Sequence, residues 1–282
     1  MQLPGPDYPA PAKLNLFLHV LGRRPDGYHM LQSVFTLIDR ADRLRFRVRL
    51  DGEVHRVNVV RGVPEQQDLT VRAALLLKEA SGSPLGADIE IDKRIPIGGG
   101  LGGGSTDAAT TLLALDRLWE TGFGPDALAE LAGSLGADIP FFLFGGAAWA
   151  EGTGDELRTI ELPPRWYVVL APPVEVPTRE IFQSPELTRN TEPLKMEDFS
   201  ARPGDRRFHN DLERVVIARY PQVRQHLEWL RKHGEARMTG SGACVFAGFD
   251  SREAAESVMR QLPGDMQGFV AHGLERHPLR VQ

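Results

Sequence analysis

Apolar and polar positions alternate with two different periods along the chain, and most of its elements can be read from the change between them. Residues 13–20, KLNLFLHV, are apolar and partly alternating, which predicts a strand. RRPDGYHM is turn-rich. LQSVFTLI and DRLRFRVRL predict two further strands, the second alternating at Leu44, Phe46, Val48 and Leu50. DLTVRAALLLKEASG changes to the helical period from Asp68 to about Ser81 and stops at glycine. ADIEIDKRI alternates at Ile89, Ile91 and Lys93, so a strand runs toward a glycine-rich stretch. STDAATTLLALDRLWETG predicts a helix, with Ser105 as its N-cap and Ala108, Leu112, Leu115 and Trp119 as its buried stripe. GPDALAELAGSLG predicts another, with Pro125 near its start and Gly136 past its end. RWYVVLAPP, after a proline pair, predicts a strand over 165–173. Helical runs at 211–232 and 252–262 flank the strand-like ACVFAGF. Strands and helices mix without strict alternation, which favours an α+β fold over a doubly wound sheet. The prolines at 163–164 suggest a boundary between a first domain, 1–162, and a second, 163–282.

The stretch IPIGGGLGGGSTDAATTLLAL, residues 95–115, is the strongest local signal. A strand, a glycine-rich loop and a helix opening with Ser-Thr-Asp describe an anion site. Without Cβ atoms the backbone approaches a ligand closely, and its amides form a concave nest beside the positive end of a helix dipole. A tight connector is the plain alternative. A Walker A loop is excluded, because Gly104 stands where that loop needs lysine before the hydroxyl residue. Gly98, Gly100 and Gly103 meet the dinucleotide pattern G-x-G-x-x-G, but a second helix follows where that fold needs a parallel strand. Protein-kinase signatures are absent.

Composition narrows the setting. The formal net charge is -5, which argues against bulk attraction to nucleic acid or an anionic membrane. The single cysteine, Cys244, excludes an internal disulfide and a cysteine-rich metal cluster. No secretory leader pattern and no apolar run of about 18 residues is present, so a soluble cytoplasmic protein is expected.

Three stretches, in order, carry a resemblance: PAKLNLFL at 11–18, PIGGGLGGGSTDAA at 96–109 and MTGSGACVF at 238–246. They resemble the three motifs of the GHMP kinase superfamily, whose members phosphorylate small-molecule alcohols from ATP. RRPDGYHMLQSVF, LGADIPFF, VPTREIF and NDLE narrow it to the branch acting on cytidyl diphosphate methylerythritol, in the methylerythritol phosphate route to isoprenoid precursors. The resemblance runs from about residue 10 to near the C-terminus. It departs at GSTDAA, where the family more often has a second serine; Thr106 keeps a hydroxyl.

The resemblance implies a two-domain α+β fold, with a ribosomal protein S5 domain 2-like N-terminal domain and a ferredoxin-like C-terminal domain. It implies ATP binding by Pro96, Ile97, Gly98, Gly99, Gly100, Leu101, Gly102, Gly103, Gly104, Ser105 and Thr106. It places a carboxylate base on Asp138 and a cation on Lys13. Such a pair has an electrostatic logic, since the cation favours the carboxylate and offsets phosphate charge. On the residues alone, a helix cap or a turn before Pro140 is the favoured reading of Asp138, and a solvated lysine stands level with a functional one for Lys13.

For the second substrate, the resemblance puts Tyr28 and Phe182 on the faces of cytosine and His29 at its edge. Asn15 and Thr178 would serve the erythritol and diphosphate end. Thr239, Gly240, Ser241 and Gly242 would lie beside the phosphates. The ordinary alternatives are core aromatics, a satisfied turn histidine and a β-turn, with Cys244 a small buried residue. NDLE, 210–213, is expected to cap a helix. Mg²⁺ is implied with ATP, but no carboxylate triad or histidine cluster marks its ligands; Ser105 is a candidate. Oligomeric state is open. Two other functions remain to be weighed: another small-molecule kinase, for homoserine or mevalonate, and a non-catalytic ligand sensor on the same fold.

Overall fold

A computed structural model describes residues 3–280. Its framework is an antiparallel strand pair, β1 (Tyr8–Arg23) and β2 (His29–Arg49), joined by the short RPDGY loop. The two strands predicted over 31–38 and 42–50 are one continuous strand, because β1 pairs with it from Leu44 back to His29 and absorbs the irregularities as bulges. The predicted alternation holds at Leu44 and Phe46 but fades at Val48, and Leu50 lies beyond the strand, exposed to solvent. β3 (Val54–Arg56) leads to α1 (Leu69–Ser81), capped by the Asp68 carboxylate on the Thr70 amide and ended by Gly82 in the left-handed region. β4 (Gly86–Asp92) follows.

The glycine loop then opens α2 (Gly103–Leu118). The N-cap is Gly102, at φ 73°, and not Ser105, which lies inside the first turn. Glycine wins the cap because the chain must enter the helix from the left-handed region, which serine rarely adopts. The predicted stripe of Ala108, Leu112, Leu115 and Trp119 is buried. So is every residue from Thr106 to Leu115, since α2 is enclosed on all sides. α3 (Gly124–Ala132) stops four residues before the predicted Gly136. α4 (Ile139–Phe144) begins just after Asp138. β5 (Ala148–Glu151), β6 (Glu156–Thr159) and β7 (Trp166–Leu170) precede α5 (Thr178–Gln183) and α6 (Met196–Ala201).

The helical run predicted over 211–232 is two helices, α7 (Glu213–Arg219) and α8 (Pro221–Leu230). Pro221 lacks an amide proton and forces Tyr220 out of helical geometry, to φ -120° and ψ 89°. β8 (Ala236–Met238), β9 (Val245–Phe249), α9 (Arg252–Met259) and β10 (Gly268–Leu274) complete the chain.

The strands run in the order β3-β4-β2-β10-β7-β9-β8, with β1 and β5 also on β2. All pairs are antiparallel except β3 with β4, so the α+β expectation is met. The connector between β6 and β7 carries the expected 162/163 boundary. β10 bonds β7 along 268–272 and β2 at 273–274, so the sheet is continuous across it. A buried aromatic cluster fills the seam: Phe17 packs on Trp149, Phe199 and Phe208 at centroid distances of 5.5, 5.6 and 5.1 Å. Each such side chain contributes roughly 1.5–3 kcal/mol through burial.

Candidate active site

One cavity of about 1130 Å³ opens over the middle of β1, the glycine loop, the start of α4, the start of α5 and the turn at 240–242. That exceeds what a single small ligand commonly needs, so two substrates can meet in it.

The glycine loop is bolted down by its carbonyls. Gly98 O accepts from the Ala243 amide at 3.2 Å, Gly99 O from Cys244 at 3.1 Å and Leu101 O from Lys13 at 3.0 Å. Gly100 O accepts from the Thr239 hydroxyl at 3.4 Å. With four consecutive carbonyls tied to the scaffold, the amides are the polar side of the loop available to a ligand. Gly98, Gly100 and Gly102 hold φ of 69°, 74° and 73°. A Cβ on Gly100 would fall 2.3 Å from Thr239 O, so that glycine is required by backbone-to-backbone packing as well as by its φ.

Lys13 and Asp138 meet at the cavity. Their charged atoms lie 3.6 Å apart, with the lysine buried and the carboxylate 39% exposed. Asp138 occupies the N-cap position of α4 yet makes no side-chain capping bond, which leaves the carboxylate free for a ligand. Lys13 Nζ donates to Asn15 Oδ1 at 2.5 Å, and Asn15 Nδ2 donates to Ser33 Oγ at 2.9 Å. Ser33 in turn donates to Phe17 O at 2.5 Å. This relay sets the amide orientation of Asn15 and the direction of the ammonium group. The buried lysine also lies 5.2 Å from the Phe35 ring centroid, a favourable place for a cation.

Farther along the cavity, His29 packs on Phe182, ring centroids 5.1 Å apart. Tyr28 stands 66% exposed at the mouth, its backbone held by an Asp26 turn. Thr178 and Ser241 share a 2.7 Å hydroxyl contact that joins the start of α5 to the second glycine turn.

All the expected site residues line this cavity except Thr106 and Thr239. Thr106 is buried in α2 with its hydroxyl unpartnered, and Thr239 braces the loop from behind, also accepting the Asn15 amide at 2.9 Å. Asn210 of NDLE does more than start a helix. Its Oδ1 accepts from the Leu212 amide, while Nδ2 donates to Met238 O and Gly240 O at 2.9 and 2.8 Å and so holds the second glycine turn. The N-cap of α7 itself is Leu212, with no side-chain cap. Cys244 is buried, and burial pushes its thiol up to about 12, so it is inert.

Two groups escaped the sequence. Lys93 pairs with Asp42 and, at 2.7 Å, with Asp107, and both Lys93 and Asp107 face the cavity. Asp42 also accepts the Arg94 and Ile95 amides, which aims the chain into the glycine loop. Burial works against the Lys93 charge, yet the two carboxylates raise its pKa; burial and Asp42 raise that of Asp107. The only local sign was a carboxylate at the start of the buried stretch of α2. The second group is Arg189, which bonds His29 and carried no sequence signal.

Among the described residues no three His, Cys, Asp or Glu side chains converge on a metal position. At the start of α2 the cavity offers the Ser105 hydroxyl and Asp107 as oxygen donors, and Lys93 already holds Asp107. Such a set suits a magnesium ion that draws most of its ligands from phosphates.

Residues 68–146 match the family model for the GHMP kinases N terminal domain, and residues 195–267 the model for GHMP kinases C terminal. A 4-diphosphocytidyl-2-C-methyl-D-erythritol kinase of Thiobacillus denitrificans is 61% identical over 272 residues, 96% of each chain. One from Nitrosospira multiformis is 59% identical, covering 96% of this chain and 92% of its own. A crystal structure of 4-(cytidine 5'-diphospho)-2C-methyl-D-erythritol kinase superposes with a TM-score of 0.83 at 35% identity, over 95% of this chain and 99% of the other. A mevalonate kinase structure shares the fold alone, with a TM-score of 0.70 at 16% identity over 96% and 100%.

Proposed function

The chain belongs to the 4-diphosphocytidyl-2-C-methyl-D-erythritol kinases of the GHMP kinase family, and from that premise we propose how its cavity performs their reaction. The enzyme transfers the γ-phosphoryl group of ATP to the 2-hydroxyl of 4-diphosphocytidyl-2-C-methyl-D-erythritol. The products are the 2-phosphate and ADP, a step toward isoprenoid precursors. Phosphoryl transfer asks for position and charge more than for covalent help. Residues 96–105 cradle the ATP phosphates. Asp138 accepts the proton of the 2-hydroxyl as its oxygen bonds to the γ-phosphorus and the bond to ADP breaks. Lys13, aimed by Asn15, pairs with Asp138 and lies against the transferring group. Mg²⁺, bound chiefly through phosphate oxygens with Ser105 in reach, would offset their charge. Tyr28 and Phe182 flank the cytosine, His29 bonds its edge, and Thr178 with residues 240–242 closes on the diphosphate side. No helix among the described residues is long and apolar enough to cross a membrane, and we place the enzyme in the cytoplasm.

The observation that carries this reading is the 3.6 Å Lys13–Asp138 pair, uncapped and open to the same cavity as the glycine loop. The test is ADP release on mixing the protein with ATP, Mg²⁺ and the cytidyl substrate, beside mevalonate and homoserine. Turnover of the cytidyl substrate alone is expected. Equal turnover of mevalonate or homoserine would redirect the assignment within the family, and ATP binding without ADP release would favour a ligand sensor.

A further inference from the structure

Arg189 lies outside every motif that marks the site, yet its bonding dictates the chemistry of His29. Its Nε donates to His29 Nε2 at 3.1 Å. The rest of its fork is anchored on three carbonyls. Nη2 donates to Phe182 O and Ser184 O at 2.8 and 2.6 Å, and Nη1 to Leu187 O at 3.1 Å. The guanidinium therefore has little freedom to turn away. It has no acceptor atom and does not lose its proton in a protein. Nε2 must then be the lone-pair nitrogen of the imidazole, and the proton of the neutral ring must sit on Nδ1. Protonating Nε2 would point two cationic donors at each other. Burial, Arg189 and Arg23 all press the same way, lowering the pKa of His29.

We propose that Arg189 is a positioning residue that holds His29 as the neutral Nδ1–H tautomer, so that the ring offers a donor to the pyrimidine and selects cytosine over uracil. The inference rests on the cytidine reading of the cavity. Cytosine carries a lone pair at ring nitrogen N3, where uracil carries a hydrogen. A fixed donor matches the first and opposes the second. A histidine free to exchange tautomers could serve either base, so the selectivity resides in the arginine behind the ring. The same guanidinium holds the Phe182 carbonyl. One side chain thus governs both the proton on His29 and the backbone of the aromatic residue packed against it.

The test joins a spectrum to a ratio. Nitrogen-15 spectra of the full-length protein labelled at histidine, with His29 assigned by its loss in His29→Gln, should show Nε2 unprotonated and Nδ1 protonated. In Arg189→Leu the ring should shift toward Nε2–H. The KM for the cytidyl substrate should rise about tenfold or more, with kcat and the KM for ATP changing less than about twofold. The uridine counterpart of the substrate should lose less, so the cytidine-to-uridine ratio of kcat/KM falls. Arg189→Lys, which returns one donor without the fork, should restore part of that ratio. A purely structural role would loosen Phe182 and weaken both substrates alike. An unchanged ratio, or an Nε2–H ring in the wild-type protein, overturns the proposal; the second result needs no variant to fold. Absence of any turnover of the cytidyl substrate by the wild-type enzyme would overturn this proposal together with the proposed function. An unchanged ratio with normal wild-type turnover overturns it alone.

Discussion

At Asp138, the residue sits where a helix cap belongs and does not cap. A carboxylate left unbonded at a helix start, 3.6 Å from a buried ammonium group, is suited to accept a proton. Asp138→Asn keeps the size and removes the proton acceptor, so kcat should fall by about 10²–10⁴ with ATP affinity nearly unchanged. Lys13→Met should also lower kcat, and the double variant should lose less than the product of the two, because the pair acts as a unit. Asp155, which closes a turn on Thr153, is the control: Asp155→Asn should leave kcat near normal. Steady-state kinetics with both substrates saturating decide it; a near-normal kcat in Asp138→Asn would reduce that residue to a turn former. Tyr28 yields a second expectation at this scale. It is largely exposed at the mouth and has its face available for a base. Tyr28→Ala should weaken the cytidyl substrate by about 1–3 kcal/mol and Tyr28→Phe far less. Calorimetric titration of each variant checks it, and an equal loss of ATP affinity would contradict the stacking role.

At the scale of elements, the glycine loop works because a second glycine turn backs it. The two approach backbone to backbone, with Gly240 also closing on Gly100. Gly100→Ala puts a methyl group 2.3 Å from a carbonyl oxygen at a left-handed φ. It should cost at least about 2 kcal/mol of stability and displace the phosphate cradle. Gly104 differs. It lies within the first turn of α2, and the nearest atom to an added Cβ is Leu69 Cδ1 at 3.5 Å. Gly104→Ala should leave the melting temperature unchanged or raise it slightly, through helix propensity. Thermal melts of the two variants side by side separate a glycine needed for space from one that is not. Equal melting temperatures would refute the packing argument.

Across the whole molecule, the end of the chain returns to the element that carries Asp138. The His277 amide donates to Gly145 O at 2.7 Å, and Arg280 bonds Phe144 O at 2.9 Å. His277 is fully buried, with Nε2 unpartnered. Burial first, then Arg280 and Arg117, lower its pKa from 6.5 to about 4. The folded protein therefore binds the proton less readily than the unfolded chain. Stability is whole above pH 6.5 and declines as pH falls toward 4, by on the order of 3 kcal/mol from this residue. His19, lowered to about 4 chiefly by burial, adds to the slope in the same window. Urea unfolding at pH 7.5, 5.5 and 4.5 should show a steep loss in the wild-type protein and a shallower one in His277→Gln, whatever its starting stability. Identical slopes would remove His277 from the account.

Local features were legible in the sequence because their causes are local. Asp68 and Gly82 bound α1 through contacts within a few residues, and the strand, glycine loop and helix of 86–118 carry their own signals. The order of three short motifs sufficed for the family, since each holds its part of the chemistry in one contiguous stretch. Boundaries failed where a neighbour outweighed propensity. β2 is one strand because β1 runs beside it from His29 to Leu44, across the break between the two predicted strands, and α2 is capped by Gly102 because of how the loop must enter it. Partnership was beyond the sequence altogether. Arg189 reaches His29 across 160 positions, and Lys93 reaches Asp42 across 51. Hydrogen bonds and ion pairs act over a few ångströms, and neither residue differs along the chain from a surface arginine or lysine. Only the folded chain brings these partners together behind the residues that line the cavity, and only there does each acquire a direction and a role.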